Sequence, residues 1–333
     1  MRAPLRLRLV VERFPYRQPF RIAGHVFNET AVLVAEVSDG KHCGRGEGAG
    51  VYYTGDDADH MIAEADRVRA VIEHGATREE LQQLLPAGGA RNAIDCAYWD
   101  LEAKQRGVPA WHLAGLDEPR ALPSTLTLGA DTPEAMAYAA CALDPAAPVK
   151  IKLTGDLALD VARLEALRAA RPDAWMGVDA NQGYRRSTLE QLLPVLVAKR
   201  IAQLEQPLAR GREADLDGID RPLPFVADES ALTLEDTAGL VGRFDIVNIK
   251  LDKCGGLTEG LAIARTARDL GLEVMVGNMM GTSLSMAPGF LLGQLCNVVD
   301  LDGPTFLAND RQPGVEYAGG RITCPPAIWG YPA

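Results

Sequence analysis

No stretch of about 18 uninterrupted apolar residues occurs in this 333-residue chain, so no membrane-spanning helix is expected. The opening MRAPLRLRLVVERFPY alternates charged and apolar residues and lacks the apolar block of about 7–15 residues that a signal peptide needs. Six cysteines (Cys43, Cys96, Cys141, Cys254, Cys296, Cys324) are scattered without a C-x-x-C pair. A disulfide framework is therefore not expected, and a reducing cytoplasm is. Histidine is scarce: His25, His42, His60, His74 and His112 all lie in the first 112 residues. No G-x-S-x-G occurs and no G-x-G-x-x-G opens a helix, which removes the serine-hydrolase and dinucleotide signals. Positive charge is also short, with 34 Lys and Arg against 45 Asp and Glu, a net charge of -11 and a pI near 5.0. Nucleic acid and anionic membrane surfaces are poor partners for such a chain. A small anionic substrate stays open, because a bound cation reverses the local sign.

What is present is an ordinary globular composition, 47% hydrophobic and 24% charged, long enough for a barrel and a smaller domain. Residues 4–12 and 31–37 alternate like antiparallel strands, with Arg13–Thr30 and Gly44–Asp59 reading as loops. Helical periodicity runs from His60 to Gly75, Thr77 to Leu85 and Ala90 to Gln105, so the first third reads as a small α+β unit. From about Pro123 strand-like runs (TLTLG, VKIKL, WMGVDA, AQLEQP, FVADES, VNIKLD, EVMVGN, VVDLDG) alternate with helical segments. These segments include Pro133–Ala142, Ala158–Ala170, Ser187–Lys199, Leu234–Val241 and Thr258–Leu270. That alternation predicts a parallel β/α barrel closed by the run near Val298–Asp300. A doubly wound open sheet is the competing architecture.

Lys152, Asp179, Glu205, Asp228 and Lys250 each end one of these runs, about 22–27 residues apart. Barrel strand ends converge on one mouth, where active sites form, so three carboxylates should meet between two lysines. An acid at a βα turn is commonly only a helix cap, but three on consecutive strands framed by lysines point to function. Their all-oxygen donor set suits a hard cation such as Mg2+, and without one they would repel and raise their own pKa values. Lys150 shares a face with Lys152, since strand side chains repeat every two residues. Burial and neighbouring positive charge lower a lysine's pKa and make it a usable base. Lys253 reads as a rim residue, or as a cation near the Gly255–Gly256 turn. Asp300 and Asp302 also share one face and could hold a ligand ammonium, or could simply build a turn before Gly303-Pro304. No histidine follows a barrel strand, so a histidine base or a His-rich zinc site at the mouth is not expected.

The ordered motifs KIK (Lys150–Lys152), VDANQGY (Val178–Tyr184), LEQPL (Leu204–Leu208), ADES (Ala227–Ser230) and NIKLDKCGGLTE (Asn248–Glu259) resemble the enolase superfamily, in its muconate-lactonizing-enzyme branch. MVGNMMGTSL (Met275–Leu284) and DLDGPTFLA (Asp300–Ala308) are similar to the dipeptide epimerases within that branch. LPAGGARNAIDCAYWDLEAK (Leu85–Lys104) resembles the family's cap-to-barrel segment. The resemblance implies a (β/α)7β TIM-like barrel with an N-terminal α+β capping domain. Its expected boundaries are 1–115 for the cap, 116–315 for the barrel and 316–333 for a tail returning to the cap. It implies Mg2+ on Asp179, Glu205 and Asp228, with Lys152 and Lys250 as the acid/base pair. Lys150 would position the substrate carboxylate and lower the pKa of Lys152. Thr127 and Thr282 would line the pocket, and Asp300 and Asp302 would bind the ammonium of a dipeptide. The implied activity is epimerisation of L-Ala-D/L-Glu, a dipeptide of peptidoglycan recycling, with no nucleic-acid or membrane partner. A homo-oligomer stays open.

Glutamate-selective relatives carry a cap-loop arginine that can meet the side-chain carboxylate, whereas AGHVFNET (Ala23–Thr30) has none. Arg21, His25, Asn28, a loop amide, or a hydroxyl from Tyr52 or Tyr53 could substitute, while Val26 and Phe27 suit an apolar side chain. o-Succinylbenzoate synthesis and cycloisomerisation are rivals within the superfamily, but their substrates carry no ammonium for Asp300 and Asp302. A non-catalytic peptide binder is the rival from another class, and it would not need lysines on both sides of the metal.

Overall fold

The computed structural model describes residues 4–22 and 25–332. Ala23 and Gly24 of the cap loop lie outside them. Strands β1 (Arg6–Ile22), β2 (His25–Ser38) and β3 (Cys43–Ala49) form an antiparallel sheet in that order. Three helices follow, α1 (Ala58–Glu73), α2 (Arg78–Leu84) and α3 (Gly89–Arg106). Within the expected loop Arg13–Thr30, residues 13–22 and 25–30 instead continue β1 and β2. Pairing runs from Arg6↔Ser38 to Pro15↔Glu29, slips, and resumes at Phe20↔Phe27. Pro15 and Pro19 lack an N–H, which an edge strand tolerates where its ladder is already irregular. The Pro15 carbonyl instead accepts from Ala308 N–H at 2.8 Å.

The expected loop from Gly44 also begins as a strand. Its alternate glycines disguise it and have a packing reason. A Cβ on Gly44, Gly46 or Gly48 would lie 2.0–2.1 Å from the carbonyl oxygens of Ala97, Ala93 and Gly89 respectively. One strand face therefore lies directly on α3, two strand residues matching four helical ones. Gly46→Ala must push sheet and helix apart, and overpacking of this kind costs about 1–3 kcal/mol. A lowered denaturation midpoint with an unchanged m-value is the expected readout.

The barrel strands are Leu126–Leu128, Val149–Lys152, Met176–Asp179, Gln203–Glu205, Phe225–Ala227, Ile246–Lys250, Glu273–Gly277 and Val298–Val299, paired in parallel and in chain order. Thr125 N–H donates to the Val299 carbonyl at 2.9 Å, closing the first strand onto the last. The intervening helices Pro133–Ala142, Leu157–Ala170, Arg186–Ala198 and Leu257–Asp269 fall within a residue of expectation, and Leu234–Leu240 is a 3-10 helix. Strand alternation sorts the core. Val149, Ile151, Met176, Val178, Leu204, Val247, Ile249, Val274 and Val276 pack outward into the main hydrophobic cluster. Inside, Val226, Ile246 and Met275 with Val298 form an apolar plug. The charged residues nearer the strand ends lie above it.

Buried polar contacts join cap and barrel. Asp252 Oδ1 accepts from Ala49 N–H and Asn92 Nδ2, both at 2.8 Å, and burial raises this carboxyl to about 7. Glu47 accepts from Thr282 N–H at 2.7 Å and from Arg311 at 2.9 Å. Residues near the C-terminus also reach α3, with Trp329 Nε1 donating to Cys96 O at 3.0 Å and Gly330 N–H to Asp100 Oδ1 at 2.9 Å. All six cysteines are free. No helix among the described residues is long and apolar enough to cross a membrane.

Candidate active site

The strand register builds the site. Lys152 pairs with Asp179, and Asp179 with Glu205, so three consecutive strands end side by side. Asp228 and Lys250 follow on the next two. Carboxylate oxygens of Asp179, Glu205 and Asp228 all approach within 4.8 Å of one another, and all three residues are buried. This donor set, hard, anionic and tightly grouped, fits a divalent cation such as Mg2+. Burial and repulsion from Asp179 and Asp228 push Glu205 up to about 7 despite Lys150, as expected of an acid crowded by like charges. The expectation fails for the other two: against burial, Lys152 and Lys150 hold Asp179, and Lys250 and Lys253 hold Asp228, below their ordinary values.

Lys152 and Lys250 stand on the second and sixth of eight strands, on opposite walls. Lys152 Nζ is 2.6 Å from Asp179 Oδ2, and Lys250 Nζ is 2.7 Å from Asp228 Oδ2. Burial works to lower the Lys250 ammonium, but Asp228 and the other carboxylates hold it above its ordinary value. Lys150 Nζ lies 2.8 Å from both Glu205 Oε2 and Asp300 Oδ2 and 3.3 Å from Asp179 Oδ2. These carboxylates outweigh burial and keep it charged.

Lys253 is not at the rim. It is fully buried, and its Nζ donates to Asp228 Oδ1 and Asp228 O, both at 2.6 Å, and to Asn248 O at 3.0 Å. An ammonium has three donors, so this one is saturated. The short helix Leu251–Cys254 turns it inward directly after the strand.

Asp300 accepts from Thr125 Oγ1 at 2.5 Å, and Asp302 accepts from Thr127 N–H at 2.6 Å. Both acids thus brace the seam between first and last strands, and both face the same cavity as Thr127, Lys150, Lys152, Asp228 and Lys250. Burial and the Asp300 charge raise Asp302 to about 7. Thr282 is not in this cavity. It is fully buried, with its hydroxyl on Glu47 and Arg311.

Several residues at the site lie inside the quoted motifs but were assigned no role from the sequence. Asn248 Nδ2 donates to Glu205 Oε1 at 2.8 Å, while its own Oδ1 has no partner. It lies two residues before Lys250, so the period-two rule placed it on the same face. Gly277 makes room for it, since a Cβ there would lie 2.6 Å from Asn248 Oδ1. Gln206 receives the N–H groups of Asp228 and Ser230 at 3.0 and 3.1 Å and spans two strand-end turns. It holds a φ of 36°, while Asn181 and Gln182 hold 42° and 66°, uncommon for non-glycine residues and gathered at the mouth. Glu229 lines the cavity and is pushed up to about 8 by burial and by Asp228.

The cavity between barrel mouth and cap leaves about 130 Å³ for the centres of water-sized molecules. The cap contributes Tyr16, Phe20, Phe27, Thr30, Tyr52 and Tyr53. Arg21 and Asn28 are exposed and outside the lining, and His25 packs its ring against Tyr52 at 4.8 Å.

A parallel barrel gathering three carboxylates between facing lysines, under an antiparallel cap, defines the enolase-like architecture. The chain belongs to the mandelate racemase / muconate lactonizing enzyme family. Residues 6–115 match its N-terminal domain and residues 133–328 the enolase C-terminal domain-like family. An L-Ala-D/L-Glu epimerase of Escherichia coli is 39% identical over 93% of this chain and 97% of its own length. An N-acetyl-D-glutamate racemase of a Pseudoalteromonas species is 40% identical over 75% of this chain and 79% of its own. A solved enolase-family structure from Agrobacterium tumefaciens has homology to dipeptide epimerases and holds sodium and L-Ala-L-Glu with an ordered loop. It aligns with a TM-score of 0.94 at 39% identity, covering 98% of this chain and 100% of that one.

Proposed function

We propose that this protein is a Mg2+-dependent dipeptide epimerase acting first on L-Ala-D/L-Glu, in the cytoplasm and in the recycling of peptidoglycan peptides. The observation that carries the reading is the pair Lys152 and Lys250, on opposite walls and each within 2.7 Å of a carboxylate of one acidic triad. A proton α to a carboxylate is very weakly acidic. One lysine removes it from one face and the other returns a proton to the opposite face, which inverts the centre. Mg2+ held by Asp179, Glu205 and Asp228 supplies positive charge for the charge that develops on the substrate carboxylate. Lys150, fully buried and charged, adds a second fixed cation beside it. Asp300 and Asp302 receive the ammonium, so the dipeptide is held at both ends. Residues 1–115 form the cap, 116–315 the barrel and 316–333 the returning tail.

The Pseudoalteromonas relative favours a second reading, racemisation of an N-acylated glutamate. The same two-lysine chemistry serves both, and the ammonium distinguishes them. A charge-assisted contact contributes about 1.5–3 kcal/mol, so kcat/KM should fall about tenfold or more when the amine of L-Ala-L-Glu is acetylated. Turnover is followed in D2O by mass spectrometry of α-deuterium. Equal turnover of N-acetyl-L-glutamate and L-Ala-L-Glu would remove the ammonium role and favour the second reading. No exchange into any dipeptide would remove the epimerase.

A further inference from the structure

The cap offers the cavity one fully enclosed polar atom that nothing satisfies. The Tyr53 side chain lines the cavity, and its hydroxyl is buried and has no hydrogen-bond partner. A buried hydroxyl without an acceptor carries a desolvation penalty, and such groups in native structures call for an explanation. Tyr53 is also held ready. It sits in the 3-10 turn Tyr52–Thr54, where Thr54 N–H and Thr54 Oγ1 both donate to Val51 O, at 2.9 and 2.8 Å. The turn is anchored to α3, because Asp56 Oδ2 accepts from Gly89 N–H at 2.9 Å. Gly50 lets the chain fold back so closely that a Cβ there would lie 2.1 Å from the Asp56 carbonyl. The ring packs edge-on against Tyr52, with centroids 5.1 Å apart at 85°. Burial, with Asp228 and Glu229 nearby, raises the phenol far above its ordinary value, so the group stays an O–H donor at working pH.

Elimination identifies the acceptor. In the proposed complex the carboxylate lies among the metal ligands and lysines, and the ammonium lies at Asp300 and Asp302. What remains for the cap is the side chain of the residue being epimerised. The cap's other contributions include the rings of Phe20, Phe27 and Tyr52, and no arginine lines the cavity among the described residues. Tyr16 and Tyr52 also carry hydroxyls, but among the described cap residues that line the cavity only the hydroxyl of Tyr53 is buried without a partner. We propose that Tyr53 is a specificity-determining residue, its hydroxyl donating to the side-chain carboxylate of the substrate's glutamate while the neighbouring rings pack on the methylenes. This rests on the dipeptide reading of the site.

The test compares Tyr53→Phe with wild type on L-Ala-L-Glu and on L-Ala-L-Met, which has similar length and no such acceptor. kcat/KM for L-Ala-L-Glu should fall about tenfold to hundredfold, mainly through KM, while that for L-Ala-L-Met stays within about twofold. Retained turnover of L-Ala-L-Met also reports that the variant is folded. Equal losses on both substrates, no loss on either, or a wild-type preference for L-Ala-L-Met would each overturn the role of Tyr53. Wild-type α-deuterium exchange is scored separately, so failure of the dipeptide reading itself is seen as exchange into neither substrate.

Discussion

Replacing Lys250 with alanine is expected to lower epimerisation of L-Ala-L-Glu by about 10²–10⁴-fold, the range for loss of a positioned acid–base group. Lys152→Ala should do the same, because inversion needs a group on each face. The informative result is the asymmetry. Each variant keeps one lysine, so each should still exchange the α-proton of one epimer with solvent deuterium, and the two variants should retain opposite epimers. Lys253 provides the control. Its three donors are committed to Asp228 and the Asn248 carbonyl, so none is left for substrate. Lys253→Ala should lower Tm and loosen Asp228 while both epimers still exchange. An inactive Lys253→Ala beside an active Lys250→Ala would reverse the assignment.

How far the sequence revealed this site follows from what each residue needs around it. Lys152, Asp179, Glu205, Asp228 and Lys250 end apolar runs at a regular interval, and barrel geometry alone brings strand ends together. Lys253 was misplaced because its acceptors include two main-chain carbonyls, which a tight turn brings within reach and no side-chain pattern announces. Thr282 was expected in the pocket, yet its nearest acidic neighbour is Glu47, a cap residue 235 positions earlier in the chain. Contacts across the cap–barrel seam have no periodicity to read.

The fold divides the same way. The eight barrel strands are short apolar runs between amphipathic helices, a pattern local in sequence. The cap strands break local rules for non-local reasons. Pro15 sits on an edge whose carbonyl is met by Ala308, and Gly44, Gly46 and Gly48 are glycines because α3 lies against them. Both features read as loops until the partner element is in place. Tyr53 belongs with them, since only the folded chain shows that its hydroxyl is enclosed and unanswered.

Glu205→Gln is expected to abolish Mg2+ binding and lower turnover about a thousandfold or more, while leaving the fold near wild type. The choice of ligand matters. Asp228 is the counter-charge for both Lys250 and Lys253, so Asp228→Asn would strand two buried ammonium groups, a change that costs about 3–5 kcal/mol for a broken buried pair. Loss of activity there would confuse metal loss with unfolding. Glu205 is held by Asn248 on one oxygen and lies near Lys150 on the other, and Lys150 keeps Asp179 and Asp300 as partners. A glutamine amide can face Asn248, whose unpartnered Oδ1 is free to accept once its own amide turns. Removing one negative charge also relieves the repulsion that pushes Glu205 up to about 7. Calorimetric titration with Mg2+ and a thermal melt therefore separate the two effects. Chelation of the wild type should abolish turnover, and added Mg2+ should restore it. Wild-type Mg2+ affinity in Glu205→Gln, or full activity after chelation, would remove the metal from this site.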